Sequence, residues 1–140
     1  AHELLGRLND GGTLPMFTSC CPGWVKFMEN FYPDMLEHLS TCKSPQGMQG
    51  AIAKTYYAEK VGKDPEDIIM VGVMPCTAKK SEIRRPLVNK NGYQDTDHIF
   101  TTREFGKLCD IHSLDVMSLD DQEFDNPLGE ASGAGDIFGT

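Results

Sequence analysis

Apolar residues recur early in the chain at the spacing of one helical face. Trp24, Met28 and Phe31 are separated by four and three residues, which predicts a helix that ends before Pro33. Residues 14–18, just before this helix, form a short apolar run that predicts a strand. The two segments together predict a strand-to-helix turn.

The most apolar segment, residues 68–74, predicts the strongest strand of the chain. Its near-continuous apolar character is typical of a parallel sheet that is covered on both faces. Apolar runs at residues 99–101 and 116–119 predict further, shorter strands. Because these strands alternate with helices, the pattern predicts an α/β fold with a mainly parallel sheet and flanking helices.

Capping residues predict where the helices begin. Ser44 followed by Pro45 is typical of an N-cap and a first helical position. Thr101 with Glu104 has the pattern of a capping box. Residues 3–9 predict one more helix at the start of the chain.

Length and charge narrow the class of protein. The 140 residues suit one domain, and a net charge of −8 gives no reason to expect a nucleic-acid partner. No apolar stretch approaches the roughly 18 residues that a membrane span needs, so we expect a cytoplasmic protein. The chain begins without methionine and stops in glycine-rich residues 133–140, so we expect residues 1–140 to be a partial domain, cut at both ends.

Five cysteines, two of them adjacent, carry the candidate chemistry. An odd number without a CxxC pair argues against a disulfide framework and for metal or redox chemistry. With Pro22 at the first helical position, Cys21 falls at the N-cap and Cys20 just before it. A helix N-terminus favours negative charge, so these thiols should ionise easily and act as metal ligands or acids.

Cys76 follows the predicted strand at residues 68–74 and, like Cys21, adjoins a proline. Sites in parallel sheets gather at the carboxyl ends of strands. Thiolates from separate loops favour an iron–sulfur cluster over structural zinc, whose ligands are usually closely paired in sequence. Cys42 or Cys109 could complete a site, although the helical position of Cys109 favours a structural role.

Three other residues are candidate site residues only because of their position in the chain. Lys79 lies in a charged run that would by default be a solvated turn, but it could place its ammonium group over an anionic cofactor. Glu3 and Ser40 would by default be surface residues.

The cysteine motifs together point to a known family. TSCCPGW at residues 18–24 and MPCTAKKSE at residues 74–82 resemble the first and second signature motifs of iron–iron (FeFe) hydrogenases. Residues 43–46, 101–104 and 129–139 resemble further landmarks of that family, so the resemblance covers essentially the whole chain. It implies that the chain is part of the two-lobed, catalytic H-cluster domain.

The resemblance implies an H-cluster, which is a 4Fe–4S cubane joined to a di-iron subcluster with carbonyl, cyanide and dithiolate ligands. It also implies interconversion of protons and dihydrogen, ferredoxin as the electron carrier, and H-cluster maturation proteins as partners. Cys21 and Cys76 would be two of the four cubane ligands, and Cys20 would exchange protons at the active site. Lys79 would hydrogen-bond a cyanide.

Four more roles follow from the same resemblance. Met74 and Gln46 would line the cluster pocket, and Glu3 and Ser40 would carry protons between Cys20 and the surface. The third signature motif, which supplies the remaining cubane cysteines, is absent from these 140 residues. We therefore expect that this chain alone does not assemble an active H-cluster.

Two related classes remain as alternatives. The cytosolic iron–sulfur assembly relative of the hydrogenases would need Cys21 and Cys76 but not Cys20. The doubled cysteine, with Glu3 and Ser40 in register, favours the enzyme. A hydrogen-sensing relative would bind the same cluster but signal rather than turn over, and only domains outside these residues could exclude it.

Overall fold

A small parallel sheet is the centre of the fold in the computed structural model, which describes residues 1–85 and 92–129. Strand β1 (Val71–Met74) pairs in parallel with β2 (His98–Thr101), with Val71 opposite His98. The predicted α/β fold with a parallel sheet and flanking helices is therefore confirmed. The landmark predicted at residues 129–139 lies, except for its first residue, outside the described residues.

Short helices surround this sheet. The α-helices of the described residues are α1 (His2–Asp10), α2 (Pro22–Phe31), α3 (Pro45–Ile52), α4 (Ala58–Val61), α5 (Lys79–Glu82) and α6 (Thr102–Ile111). A π-helical turn, Ala53–Tyr57, joins α3 to α4, and 3₁₀ helices cover Pro33–His38, Pro65–Asp67 and Val116–Ser118. None of these helices has the length and apolar character that crossing a membrane requires.

The predicted helix starts are confirmed. The hydroxyl of Ser44 accepts a hydrogen bond from the backbone N–H of Gly47 at the start of α3. Thr101 and Glu104 form both hydrogen bonds of a capping box at the start of α6. These contacts join residues three apart, so the local sequence suffices to specify them.

The strand predicted at residues 14–18 is wrong. Only Phe17 pairs, through a single parallel bridge to Leu39. Its N–H donates to the carbonyl of His38, and its own carbonyl accepts from the N–H of Ser40, both at 2.7 Å. Pro15 lies within the apolar run and has no N–H to donate, which removes a ladder hydrogen bond.

The strand predicted at residues 116–119 is also wrong. A 3₁₀ helix, Val116–Ser118, occupies this position. The side chain of Asp115 accepts a hydrogen bond from the N–H of Met117 and caps the turn. An aspartate in this position favours a turn over an extended strand.

Exposed and half-buried residues alternate along β1 within the described residues. Val71 and Val73 are 44% and 43% exposed, so the prediction of a strand covered on both faces does not hold here. On the opposite face, a Cβ added to Gly72 would lie 2.9 Å from both Gln46 Nε2 and Ile99 Cδ1. The glycine therefore lets the side chain of Gln46 lie against the strand.

The predicted apolar face of α2 is buried only in part. Met28 is 2% exposed, whereas Phe31 is 69% exposed. The ring of Phe27 packs on those of Trp24 and Phe31, with centroids 6.0 and 5.0 Å apart. Large apolar side chains thus form an aromatic row on the outside of α2.

Two ion pairs attach the segment before β2 to residues on either side of α3. Lys54, in the π-helical turn, is 2% exposed, and its Nζ lies 2.7 Å from Asp97 Oδ1. Asp95, which is 1% exposed, pairs with Lys43 just before α3. The first pair thus ties the residues after α3 to the segment before β2, and the second ties the residue two positions before α3 to the same segment.

Candidate functional site

The adjacent cysteines lie at the start of α2. Cys21 is the N-cap, and its Sγ accepts a hydrogen bond from the N–H of Trp24 at 3.4 Å. Pro22 is the first residue of the helix, as predicted. The thiol of Cys20 lies 4.0 Å from the hydroxyl of Thr18, which is a weak contact. Both thiols are exposed and can be reached by a ligand.

Cys76 lies two residues beyond the end of β1, where the sequence predicts it. Its thiol is free and half-buried. Its carbonyl accepts a hydrogen bond from the N–H of Lys79 at 3.3 Å, in the turn that leads into α5. The charged run expected to be a solvated turn contains a short helix, α5, which begins three residues after Cys76.

Lys79 joins the two cysteine motifs. Its side chain is 5% exposed, and its Nζ donates to the carbonyl of Cys20 at 3.0 Å and to Glu82 Oε2 at 2.9 Å. Burying an ammonium group is costly unless it is paired, so these two contacts hold the lysine in place. A Cβ added to Gly23 would lie 3.7 Å from Cys21 Sγ and 3.9 Å from Ala78 Cβ. The second motif thus lies beside the Cys21 thiol.

Gln46 supplies an unpaired polar group. Its side-chain Oε1 and Nε2 atoms are both buried and have no hydrogen-bond partner among the described residues. An unsatisfied buried polar group costs about 1–3 kcal/mol, so this amide is suited to contact a bound group. A cavity of about 380 Å³ adjoins it, and its lining includes Ser19, Pro22, Ser40, Cys42 and Glu82. Met74, the other predicted pocket residue, is half-buried at the end of β1, opposite Thr101.

The chemical nature of these groups suits an anionic iron–sulfur cofactor, but they include too few metal ligands to hold one. Two thiols, a buried ammonium group and an unpaired amide are the donors that such a group needs. Within residues 1–85 and 92–129, no three His, Cys, Asp or Glu side chains are placed to hold a metal ion together. A cubane takes four cysteines, so Cys21 and Cys76 would supply at most two of the ligands that such a group needs.

Glu3 and Ser40 are in direct contact, although the sequence separates them by 37 residues. The hydroxyl of Ser40 donates to Glu3 Oε2 at 2.5 Å. The N–H of Thr41 donates to both carboxylate oxygens, at 3.1 and 3.2 Å, and Arg7 donates to Oε1 at 2.8 Å. The thiol of Cys42 lies 3.5 Å from Oε2.

These donors lower the pKa of Glu3 from 4.5 to about 2. The hydrogen bond from Ser40 is the largest cause, and partial burial of the carboxyl group opposes it. Glu3 is therefore a carboxylate at neutral pH. Within the described residues, neither Glu3 nor Ser40 forms a hydrogen bond with the Cys20 thiol, so the structure brings the predicted site residues together in two groups.

Sequence reasoning missed two residues of these groups, and it missed the contact that Cys42 makes. Arg7 is four residues after Glu3 on α1, and Glu82 is three residues after Lys79, so helical spacing of opposite charges could have indicated both. Cys42 contacts Glu3 across 39 positions, and no local pattern predicts such a contact. Cys109 is buried on α6, in agreement with the structural role that its position favours.

Comparison with known proteins identifies the family. The family model "Iron only hydrogenase large subunit, C-terminal domain" matches residues 1–140. The NADP-reducing hydrogenase subunit HndD of Solidesulfovibrio fructosivorans is 55% identical, over 98% of this chain and 24% of its own length. The cytosolic Fe-S cluster assembly factor NAR1 of Sclerotinia sclerotiorum is 36% identical, over 85% of this chain and 22% of its own.

A solved structure agrees with these matches. The apo form of [FeFe]-hydrogenase HydA1 from Chlamydomonas reinhardtii superimposes with a TM-score of 0.82 and 44% identity, over 96% of this chain and 34% of that one. The chain spans about a quarter of the length of the two sequence relatives. With its whole length matched by the family model, the chain belongs to the iron-only hydrogenase large-subunit family, within the C-terminal domain.

Proposed function

We propose that this chain is part of a cytoplasmic FeFe hydrogenase that catalyses the reversible reduction of protons to dihydrogen. Ferredoxin is the proposed electron carrier, and maturation proteins supply the H-cluster. When bound, an H-cluster provides the redox chemistry that interconverts protons, electrons and dihydrogen. The five free cysteines support a reducing compartment.

The contact between Lys79 and the carbonyl of Cys20 carries this proposal. It joins the two signature motifs at 3.0 Å and buries a positive charge beside two candidate thiolate ligands. Cys21 and Cys76 hold iron in this proposal, and Lys79 neutralises negative charge on the bound group. In this proposal Gln46 and Met74 would line the cluster pocket, and the unpaired amide of Gln46 would orient the bound group.

The remaining residues handle protons. Cys20 lies one residue before the helix N-cap, its thiol is exposed, and it holds and releases a proton at Sγ. Ser40 and Glu3 form the outer part of the path, where a 2.5 Å hydrogen bond aligns the hydroxyl with the carboxylate. Arg7 and Thr41 hold that carboxylate in place.

Substitution of Cys20 in the full-length, cluster-loaded protein tests the proposal. Cys20→Ser keeps a similar size but has a hydroxyl that does not ionise near neutral pH, so we expect loss of hydrogen evolution with the iron content unchanged. Cys109→Ala, at a buried cysteine on α6 away from the site, is the matched control and should leave turnover near the wild-type rate. Hydrogen evolution that persists in Cys20→Ser would contradict the role of this thiol.

An assembly or sensory role is the second candidate, and similarity to the NAR1 assembly factor supports it. An assembly factor needs Cys21 and Cys76 to hold iron but has no use for the Cys20 thiol. If Cys20→Ser leaves the cellular function of the parent protein intact while Cys21→Ala abolishes it, the assembly role is correct. Hydrogen-dependent signalling without hydrogen evolution would instead identify a sensor.

A further inference from the structure

Cys42 has three hydrogen bonds that point in different directions. Its thiol lies 3.5 Å from Glu3 Oε2, and its N–H donates to the hydroxyl oxygen of Ser40 at 3.2 Å. Its carbonyl accepts from the hydroxyl of Ser19 at 2.8 Å. One residue therefore contacts both members of the Glu3–Ser40 pair and also the residue that precedes Cys20.

The contact with Ser40 gives the hydroxyl a defined direction. Because the N–H of Cys42 occupies a lone pair of the Ser40 oxygen, the hydroxyl hydrogen points to Glu3 Oε2, 2.5 Å away. The thiol of Cys42 contacts that same carboxylate oxygen. Ser40 and Cys42 thus hold Oε2 from two sides, while Arg7 holds Oε1.

The main chain of Cys42 connects this pair to the cysteine turn. Ser19 is otherwise part of the loop before α2, and its hydroxyl fixes the carbonyl of Cys42 at one wall of the cavity. Cys42 is exposed and lines that cavity rather than packing in the core. Packing alone does not account for a cysteine at this position.

We propose that Cys42 is a positioning residue for proton transfer: its thiol holds Glu3 Oε2 against the Ser40 hydroxyl, and its backbone ties that pair to the loop that carries Cys20. The inference rests on the proposed function, in which Glu3 and Ser40 move protons. A proton relay needs its groups aligned at hydrogen-bond distance, and a small misalignment slows it. A thiol is a weak donor, so it can orient the carboxylate without competing strongly with Ser40.

The first test is spectroscopic and needs no bound cofactor. In the iron-free, full-length protein, the infrared S–H stretching band of Cys42 is assigned by its loss in Cys42→Ala. We expect Glu3→Gln to move this band to higher frequency, because a neutral amide is a weaker acceptor than a carboxylate. Glu37→Gln changes an exposed glutamate whose side chain forms no hydrogen bond with Cys42, and it should leave the band in place. A band that Glu3→Gln does not move overturns the proposal.

The second test measures turnover of the cluster-loaded, full-length protein. Cys42→Ala should lower hydrogen evolution about two- to tenfold at unchanged iron content, since one hydrogen bond of modest strength is lost. Cys42→Ser keeps a donor and should give an intermediate rate. A rate for Cys42→Ala equal to that of the wild type, or a Cys42→Ser rate below that of Cys42→Ala, overturns the proposal.

The two proposals fail in different ways. If Cys20→Ser retains hydrogen evolution, the proposed role of the active-site thiol is wrong, whatever the Cys42 band shows. If Cys20→Ser is inactive but Glu3→Gln does not shift the S–H band of Cys42, only the positioning role of Cys42 is wrong.

Discussion

Replacing the buried lysine of the π-helical turn tests how this fold attaches its helices to the sheet. Lys54 is 2% exposed, and its Nζ lies 2.7 Å from Asp97 Oδ1. The other carboxylate oxygen of Asp97 accepts a hydrogen bond from the N–H of Met70, also at 2.7 Å. The ring of Tyr93 lies with its centroid 5.9 Å from Nζ. Lys54→Met keeps the length and apolar stem of the side chain but removes the charge.

The expected loss follows from the environment of the partner. Removing one member of a fully buried ion pair costs about 3–5 kcal/mol, because the other charge is left unpaired. The side chain of Asp97 is 25% exposed and keeps its hydrogen bond from Met70, so part of that penalty is relieved by water. We therefore expect Lys54→Met to lower the free energy of unfolding by about 2–3 kcal/mol.

An exposed ion pair provides the control for this variant. Lys80 pairs with Glu104, and their side chains are 40% and 44% exposed. Because solvent screens such pairs, Lys80→Met should cost less than about 1 kcal/mol. Urea unfolding of the full-length protein, followed by far-ultraviolet circular dichroism, gives both values. If the two variants lose equal unfolding free energy, burial does not explain the contribution of Lys54 to stability.

Three further predictions concern Glu3, a helix cap and a close backbone contact. The pKa of Glu3 in the folded chain is about 2, below its ordinary 4.5, so its contribution to stability is present above pH 4.5 and is lost as the pH falls toward 2. We therefore expect the difference in unfolding free energy between wild type and Glu3→Gln to shrink as the pH falls, when it is measured by urea unfolding across that range. A difference that stays constant would argue against the lowered pKa. Thr101→Ala removes the capping hydroxyl of α6 and should cost about 1 kcal/mol in the same assay, with Thr101→Ser recovering most of it. Gly50→Ala would place a Cβ 2.4 Å from the carbonyl oxygen of Asp95 and should cost about 1–3 kcal/mol. Gly106→Ala, on α6 with nothing within 4 Å, should instead stabilise the chain by about 0.5–1 kcal/mol, and the same sign for both glycines would contradict this difference.

The sequence alone was enough for features that depend on neighbours within one helical turn. Pro22 at the first helical position places Cys21 at the N-cap, and Thr101 forms its capping box with a residue three positions away. The donors and acceptors of such caps are a few bonds apart, so the local order of residues specifies them. The motif around Cys20 and Cys21, read with the one around Cys76, was also sufficient to indicate the family, which the match over residues 1–140 confirms.

Only the tertiary structure decided which distant residues meet. Glu3 contacts Ser40 across 37 positions, and Lys79 reaches the carbonyl of Cys20 across 59. Neither contact leaves a local pattern, because the first depends on how α1 packs against the loop before α3 and the second on how α5 packs against the loop before α2. The same limit explains the wrong strand at residues 14–18, since pairing needs a partner with matching donors and acceptors, and only Phe17 finds one. Sequence order thus determined the caps and the motifs, whereas packing determined which of their side chains share a site.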